Sequence, residues 1–177
     1  MITRRLLLTS GAALVSPLFI PAGVGEAAAL EEMLAVVAAK DSGIDGFSLH
    51  QLKRIYLGDD VHGSSGKIIP LNREPKGPER VGFDRSVLEM SPDAVARYWI
   101  DRKIRGQSAA PKAIEPGSIL QKVVARLPGA IGYVRAHEVT ADVKVVLVDG
   151  KKPGDAGYPI FAEGAARGQA ENRTLMF

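Results

Sequence analysis

Arg73-Glu74-Pro75-Lys76-Gly77-Pro78-Glu79-Arg80 places three cations within eight residues, around one glycine. Gly77-Pro78-Glu79 looks like a helix start. Proline suits the first helical position, and glutamate favours the positive end of the helix dipole. A helix N-terminus offers free backbone N–H groups, and an arginine beside it adds a forked donor. That is the chemistry of holding a small oxyanion, and Arg73, Lys76, Gly77 and Arg80 are the candidates. The same residues also fit a solvated basic turn in front of a well-capped helix. Ser42-Gly43 is a second candidate pair, because it follows the apolar run Leu34–Ala39. Sheets of the α/β class gather ligands at the carboxyl ends of strands. As a lone Ser-Gly turn, it equally fits a plain reversal of the chain.

Other chemistries find little support. The chain has no cysteine, which excludes disulfides, thiolate catalysis and Cys-based metal sites. His50, His62 and His137 are scattered, without metal-ligand spacing. No nucleophile elbow, zinc signature, P-loop or dinucleotide fingerprint is present, so neither an enzyme nor a bound cofactor is expected. Arg97, Arg102, Lys103 and Arg105 cluster around Tyr98 and Trp99, but Asp93 and Asp101 dilute their charge. With a net charge of +3 over 177 residues, nucleic acid is not an expected partner.

These residues need a scaffold. Leu34–Ala39 (LAVVAA) has the pattern of a buried strand ending in a turn. Ser48-Leu49-His50-Gln51 is a capping box, and the helix it opens buries Leu49, Leu52, Ile55 and Tyr56 and stops at Gly58. Lys67–Leu71 is a second strand. The helix begun near Pro78 buries Phe83, Val87 and Leu88. Another runs from Ser91-Pro92 to about Ile104, with Val95, Tyr98, Trp99 and the stem of Arg102 along its stripe. Pro111–Ile114 is a short strand. Ser118–Leu127 is a helix with Ile119, Val123, Val124 and Leu127 inside. Ala130–Val134 and Val143–Val148 are two further strands. Strands alternating with helices give an α/β fold, and the unbroken apolar strands suit a sheet covered on both faces.

The ends are of different composition. Residues 1–29 carry a short basic start with Arg4-Arg5, an apolar stretch and the small-residue run Ala27-Ala28-Ala29. This is signal-peptide order, compatible with the twin-arginine or the ordinary export route. The apolar stretch is short and broken by Ser16-Pro17, unlike a membrane-spanning helix of about 20 apolar residues. The expected mature chain is then a domain over 30–149 with an irregular tail over 150–177.

Three segments carry a resemblance. Phe47–Gly58 (FSLHQLKRIYLG), Ile68–Arg73 (IIPLNR) and Leu127–Val134 (LPGAIGYV) resemble, in order and spacing, segments of phosphate-type periplasmic substrate-binding proteins. The resemblance covers roughly residues 33–149 and is to the small branch of that family. It implies a type 2 periplasmic-binding-protein fold in a short or single-lobed form, with a mixed β-sheet flanked by helices. It also implies capture of a small anion such as phosphate without catalysis, and delivery to an ABC-transporter permease. Arg73 stands where the family's arginine does. The family's Ser-Gly-Thr hydroxyl donors are replaced by Gly77-Pro78-Glu79. A single-lobed relative acting as a periplasmic structural or protein-interaction module is the alternative this replacement opens.

Overall fold

The computed structural model describes residues 32–63 and 66–164. The expected export signal therefore lies outside the described residues. Strand β1 (Leu34–Ala39) is the centre of the molecule, and all six residues are buried. It pairs antiparallel with β7 (Ala130–Arg135) on one side and with β8 (Val143–Val145) on the other. Beyond β7 come β5 (Ile69–Asn72) and β6 (Lys112–Ala113), each parallel to its inner neighbour. The order β6-β5-β7-β1-β8 makes a five-stranded mixed sheet.

Both faces of that sheet are covered, as the apolar runs predict. Leu34, Val36 and Ala38 enter one cluster, with Tyr56, Phe83 and Tyr133. Ala35 and Val37 enter the other, with Leu120 and Val124. The alternation of strand side chains delivers successive residues to opposite layers.

Helix α1 (Leu49–Tyr56) is capped as its sequence predicts. The Ser48 hydroxyl accepts the Gln51 N–H, and the Gln51 side chain accepts the Ser48 N–H. Helix α2 (Pro78–Phe83) starts at Gly77 and runs into a π-helical turn over Asp84–Leu88. Helix α3 (Pro92–Ile104) buries only Val95; Tyr98 and Trp99 are half-buried. Helix α4 (Gly117–Arg126) crosses the second face.

Two sequence expectations need correction. Helix α4 turns Gly117, Leu120, Gln121 and Val124 inward, whereas Ile119 and Leu127 are about two-fifths exposed. A glutamine displaces an isoleucine here because both ends of its amide are satisfied. Its Nε2 donates to the Glu138 carbonyl at 2.9 Å, and its Oε1 accepts the Thr140 N–H at 2.7 Å. A buried polar group that keeps its hydrogen bonds carries little penalty. Gly132 on β7 provides the groove for Leu120, since a β-carbon there would come within 2.5 Å of the leucine.

Val143–Val148 is two strands, not one. Val146 breaks the run, and β9 (Leu147–Val148) leaves the main sheet to pair in parallel with β2 (Gly46–Phe47). A third small pairing joins β3 (His62–Gly63) to β4 (Gly66–Lys67). Residues 150–164 are irregular, yet they carry Tyr158, Ile160 and Ala162 into the first core cluster. A β-carbon on Gly82 would strike the backbone of Phe161 and Ala162, so α2 and this stretch lie in direct contact.

Candidate functional site

Strand direction decides which candidates meet. β5, β6 and β7 run the same way, so their carboxyl ends share one edge of the sheet. Arg73 follows β5, Glu115 follows β6 and Arg135 ends β7, which brings all three to that edge. The chain then enters α2 after β5 and α4 after β6, which sets the starts of both helices there. β1 runs antiparallel to β7, so Ser42 and Gly43 lie at the opposite edge. The two candidate groups, Ser42-Gly43 and Arg73 with its neighbours, therefore lie at opposite edges of the sheet. The Ser42 hydroxyl donates to the Ala39 carbonyl at 2.7 Å, and its oxygen accepts the Ile44 N–H at 3.3 Å. The serine closes its own turn.

Arg73 is nine-tenths buried. Its Nε–H donates to Glu115 Oε1 at 2.7 Å, and the same oxygen accepts the Glu74 N–H at 3.0 Å. Its backbone N–H donates to Asn72 Oδ1 at 3.0 Å. The Tyr133 hydroxyl donates to the same Asn72 oxygen. Tyr133 in turn stacks on Phe83, with ring centroids 3.9 Å apart. The base of the arginine is thus held by a buried polar and aromatic floor. Burial pushes the Tyr133 hydroxyl well above its ordinary pKa, so it stays a neutral donor. The Arg73 Nη1 atom is buried without a hydrogen-bond partner among the described residues and packs against Gly117, the first residue of α4. Any β-carbon at position 117 would collide with it. A buried unpaired guanidinium donor is costly to leave unmet.

The start of α2 is occupied from within. The Gly77 N–H donates to the Glu74 carbonyl at 3.2 Å, and Pro78 has no N–H. A carboxylate oxygen of Glu79 lies 3.7 Å from where a Gly77 β-carbon would stand. Glu79 also accepts Arg135 Nε–H at 2.6 Å, and Glu32 flanks the same guanidinium at 3.5 Å. Burial opposes the charge on Glu79. The Arg135 hydrogen bond, its own backbone N–H and the charges of Arg135 and Arg73 outweigh that, so its carboxyl lies below the usual glutamate range.

Lys76 and Arg80 are directed elsewhere. Lys76 is exposed at a left-handed backbone position, φ 73°, and makes no ion pair among the described residues. Arg80 is buried, and its Nε–H is shared by both Asp84 oxygens at 2.8 and 2.7 Å. Burial is the main influence on Asp84 and raises its pKa, and Arg80 only partly offsets this. Among the described residues no group of three or more His, Asp or Glu could hold a metal ion.

The sequence missed Glu115, Arg135 and Gly117. Glu115-Pro116-Gly117 sits between a short strand and a helix, so the strand-end argument applied to Ser42 would also have found it.

No family model matches the chain. It is 28% identical over 157 residues to the phosphate-binding protein PstS of Bacillus subtilis, covering 79% of this chain and 47% of that protein. Among solved structures, it is similar to an ABC-type phosphate transport receptor from Vibrio cholerae. That match has a TM-score of 0.56 and 18% identity, over 71% of this chain and 50% of the other. It is also similar to a phosphate ABC transporter substrate-binding protein with bound phosphate from Clostridium perfringens. There the TM-score is 0.56 and the identity 21%, over 69% of this chain and 47% of the other. The chain resembles phosphate-type substrate-binding proteins and has their mixed-sheet fold. It spans about half the length of the relatives it matches.

Proposed function

We propose that this chain is an exported, non-catalytic binding lobe of the phosphate type, and that the corner between Arg73, Gly77 and Gly117 receives a small oxyanion such as phosphate. One observation carries this reading: the buried Arg73 Nη1 donor, unpartnered among the described residues at the shared carboxyl edge of β5, β6 and β7. An oxyanion there supplies the missing acceptor and meets the positive end of α4. Glu115 and Glu79 are the protein's own anions at this corner, and they must yield for a guest to enter. Their competition for Arg73 and Arg135 weakens the capture. Residues 1–29 address the chain for export, residues 30–149 carry the binding elements, and a permease of the ABC type is the partner such a lobe would serve.

The position of Glu79 over Gly77 favours a second reading, in which the lobe has given up capture and works as a periplasmic protein-interaction module. Calorimetric titration of the mature chain with phosphate, sulfate and molybdate separates the two. Saturable heat that disappears in Arg73→Ala supports capture. No heat at millimolar anion, with the protein folded, leaves the interaction module.

A further inference from the structure

Lys76 and Arg80 do not face the Arg73 corner as a pair; they line a separate cavity of about 290 Å³ between α2, α3 and the segment before β6. Its walls are largely apolar, with Val81, Val95, Ala96 and Trp99 among them, together with prolines 75, 92 and 111. Four charged residues line it. Arg80 and Asp84 spend their charges on each other. Asp93 stands exposed in the first turn of α3, and Lys76 stands exposed on the turn before α2. Trp99 lines this cavity with its ring, and its indole Nε1–H is buried with no hydrogen-bond partner among the described residues. The other side of the indole is engaged. Tyr98 meets it edge-on with centroids 5.1 Å apart, Arg102 lies 5.8 Å from the ring, and its far carbon lies against Gly58.

We propose that this cavity binds a small molecule with one apolar ring-sized body and one carboxylate. The body packs on Val81, Val95 and Trp99, and the carboxylate takes Lys76 as its ion partner. The volume is near the lower end for ligand pockets, which suits a single ring. Once Arg80 and Asp84 pair, Lys76 and Asp93 are the charges left at this cavity; the carboxylate goes to Lys76, and Asp93 repels any second negative charge, so a phosphate dianion is disfavoured where a monocarboxylate is accepted. The site is independent of the Arg73 corner, and neither reading requires the other.

Trp99 is the only tryptophan of the chain, so its fluorescence reports this cavity directly. The mature protein is titrated with phenylacetate, with benzylamine and inorganic phosphate as controls. A saturable change with phenylacetate alone is expected. Lys76→Asn keeps a residue suited to the left-handed backbone and should weaken half-saturation about tenfold. Ala96→Phe, placed at an exposed helix position on the cavity wall, should abolish the response by filling the space. The proposal is overturned by no saturable response to phenylacetate, by an equal response to benzylamine or phosphate, or by folded variants that titrate like the parent. Because phosphate is read here at Trp99 and by heat at Arg73, failure of one site is distinguishable from failure of the other.

Discussion

The two ends of the central sheet use polar residues in opposite ways. At the carboxyl end of β1, the Ser42 hydroxyl donates to Ala39 and accepts from Ile44, each within three residues of itself. At the shared carboxyl end of β5, β6 and β7, Arg73 reaches Glu115 and Arg135 reaches Glu79 across gaps of 42 and 56 residues. One of those arginines holds a donor unmet among the described residues. Local closure makes a turn. Long-range convergence of charge, imperfectly satisfied, makes a candidate site. Both are buried polar regions beside apolar strands, and burial alone does not tell them apart.

The largest effect should come from the foundation of the charged end. Asp84→Ala leaves Arg80 charged and buried without its partner, and should cost about 3–5 kcal/mol in urea unfolding. A loss below about 1 kcal/mol would mean that water reaches Arg80 freely and that this end is less enclosed than its geometry indicates. Ser42→Ala should cost about 1 kcal/mol, the ordinary worth of a local hydrogen bond, and leave the phosphate titration unchanged. Altered anion binding in that variant would erase the contrast between the two ends.

The smallest effect concerns pH. The Glu79 carboxyl is held below its usual range in the folded protein, with burial opposing and Arg135 prevailing. The folded state therefore releases this proton more readily than the unfolded chain does. The resulting stabilisation is complete above the ordinary glutamate value of about 4.3 and is lost as pH falls through the depressed one. Glu79→Gln should remove that part of the acid limb, so urea midpoints of variant and parent converge at low pH and differ most near neutrality. Parallel curves would show that the Arg135 link contributes nothing to folding.

Much of the scaffold was legible because local rules and tertiary demands agree there. β1 has the bounds of its apolar run, and α1 carries the capping box that Ser48 and Gln51 spell out. Gly77-Pro78 starts α2 as proline geometry requires. Legibility failed where distant partners decide. Gln121 is buried because Glu138 and Thr140 receive it, which no helical period reveals. Val146 ends β8 because the following pair joins β2 instead. For the site, Arg73 was visible as a cation beside a helix start, but its carboxylate was not, since Glu115 arrives through the parallel pairing of β6. Ser42 stood as a second candidate beside Arg73 only because strand direction is hidden in a linear chain.

The most direct test compares phosphate affinity in two variants that pull in opposite directions. Arg73→Ala removes the donor, and Glu115→Gln removes the negative charge that competes for it while keeping an acceptor for the Glu74 N–H. Calorimetry should show binding lost in the first and tightened about tenfold in the second. If both variants bind phosphate as the parent does, or if Glu115→Gln weakens binding as much as Arg73→Ala, the Arg73 corner is not where an anion is held.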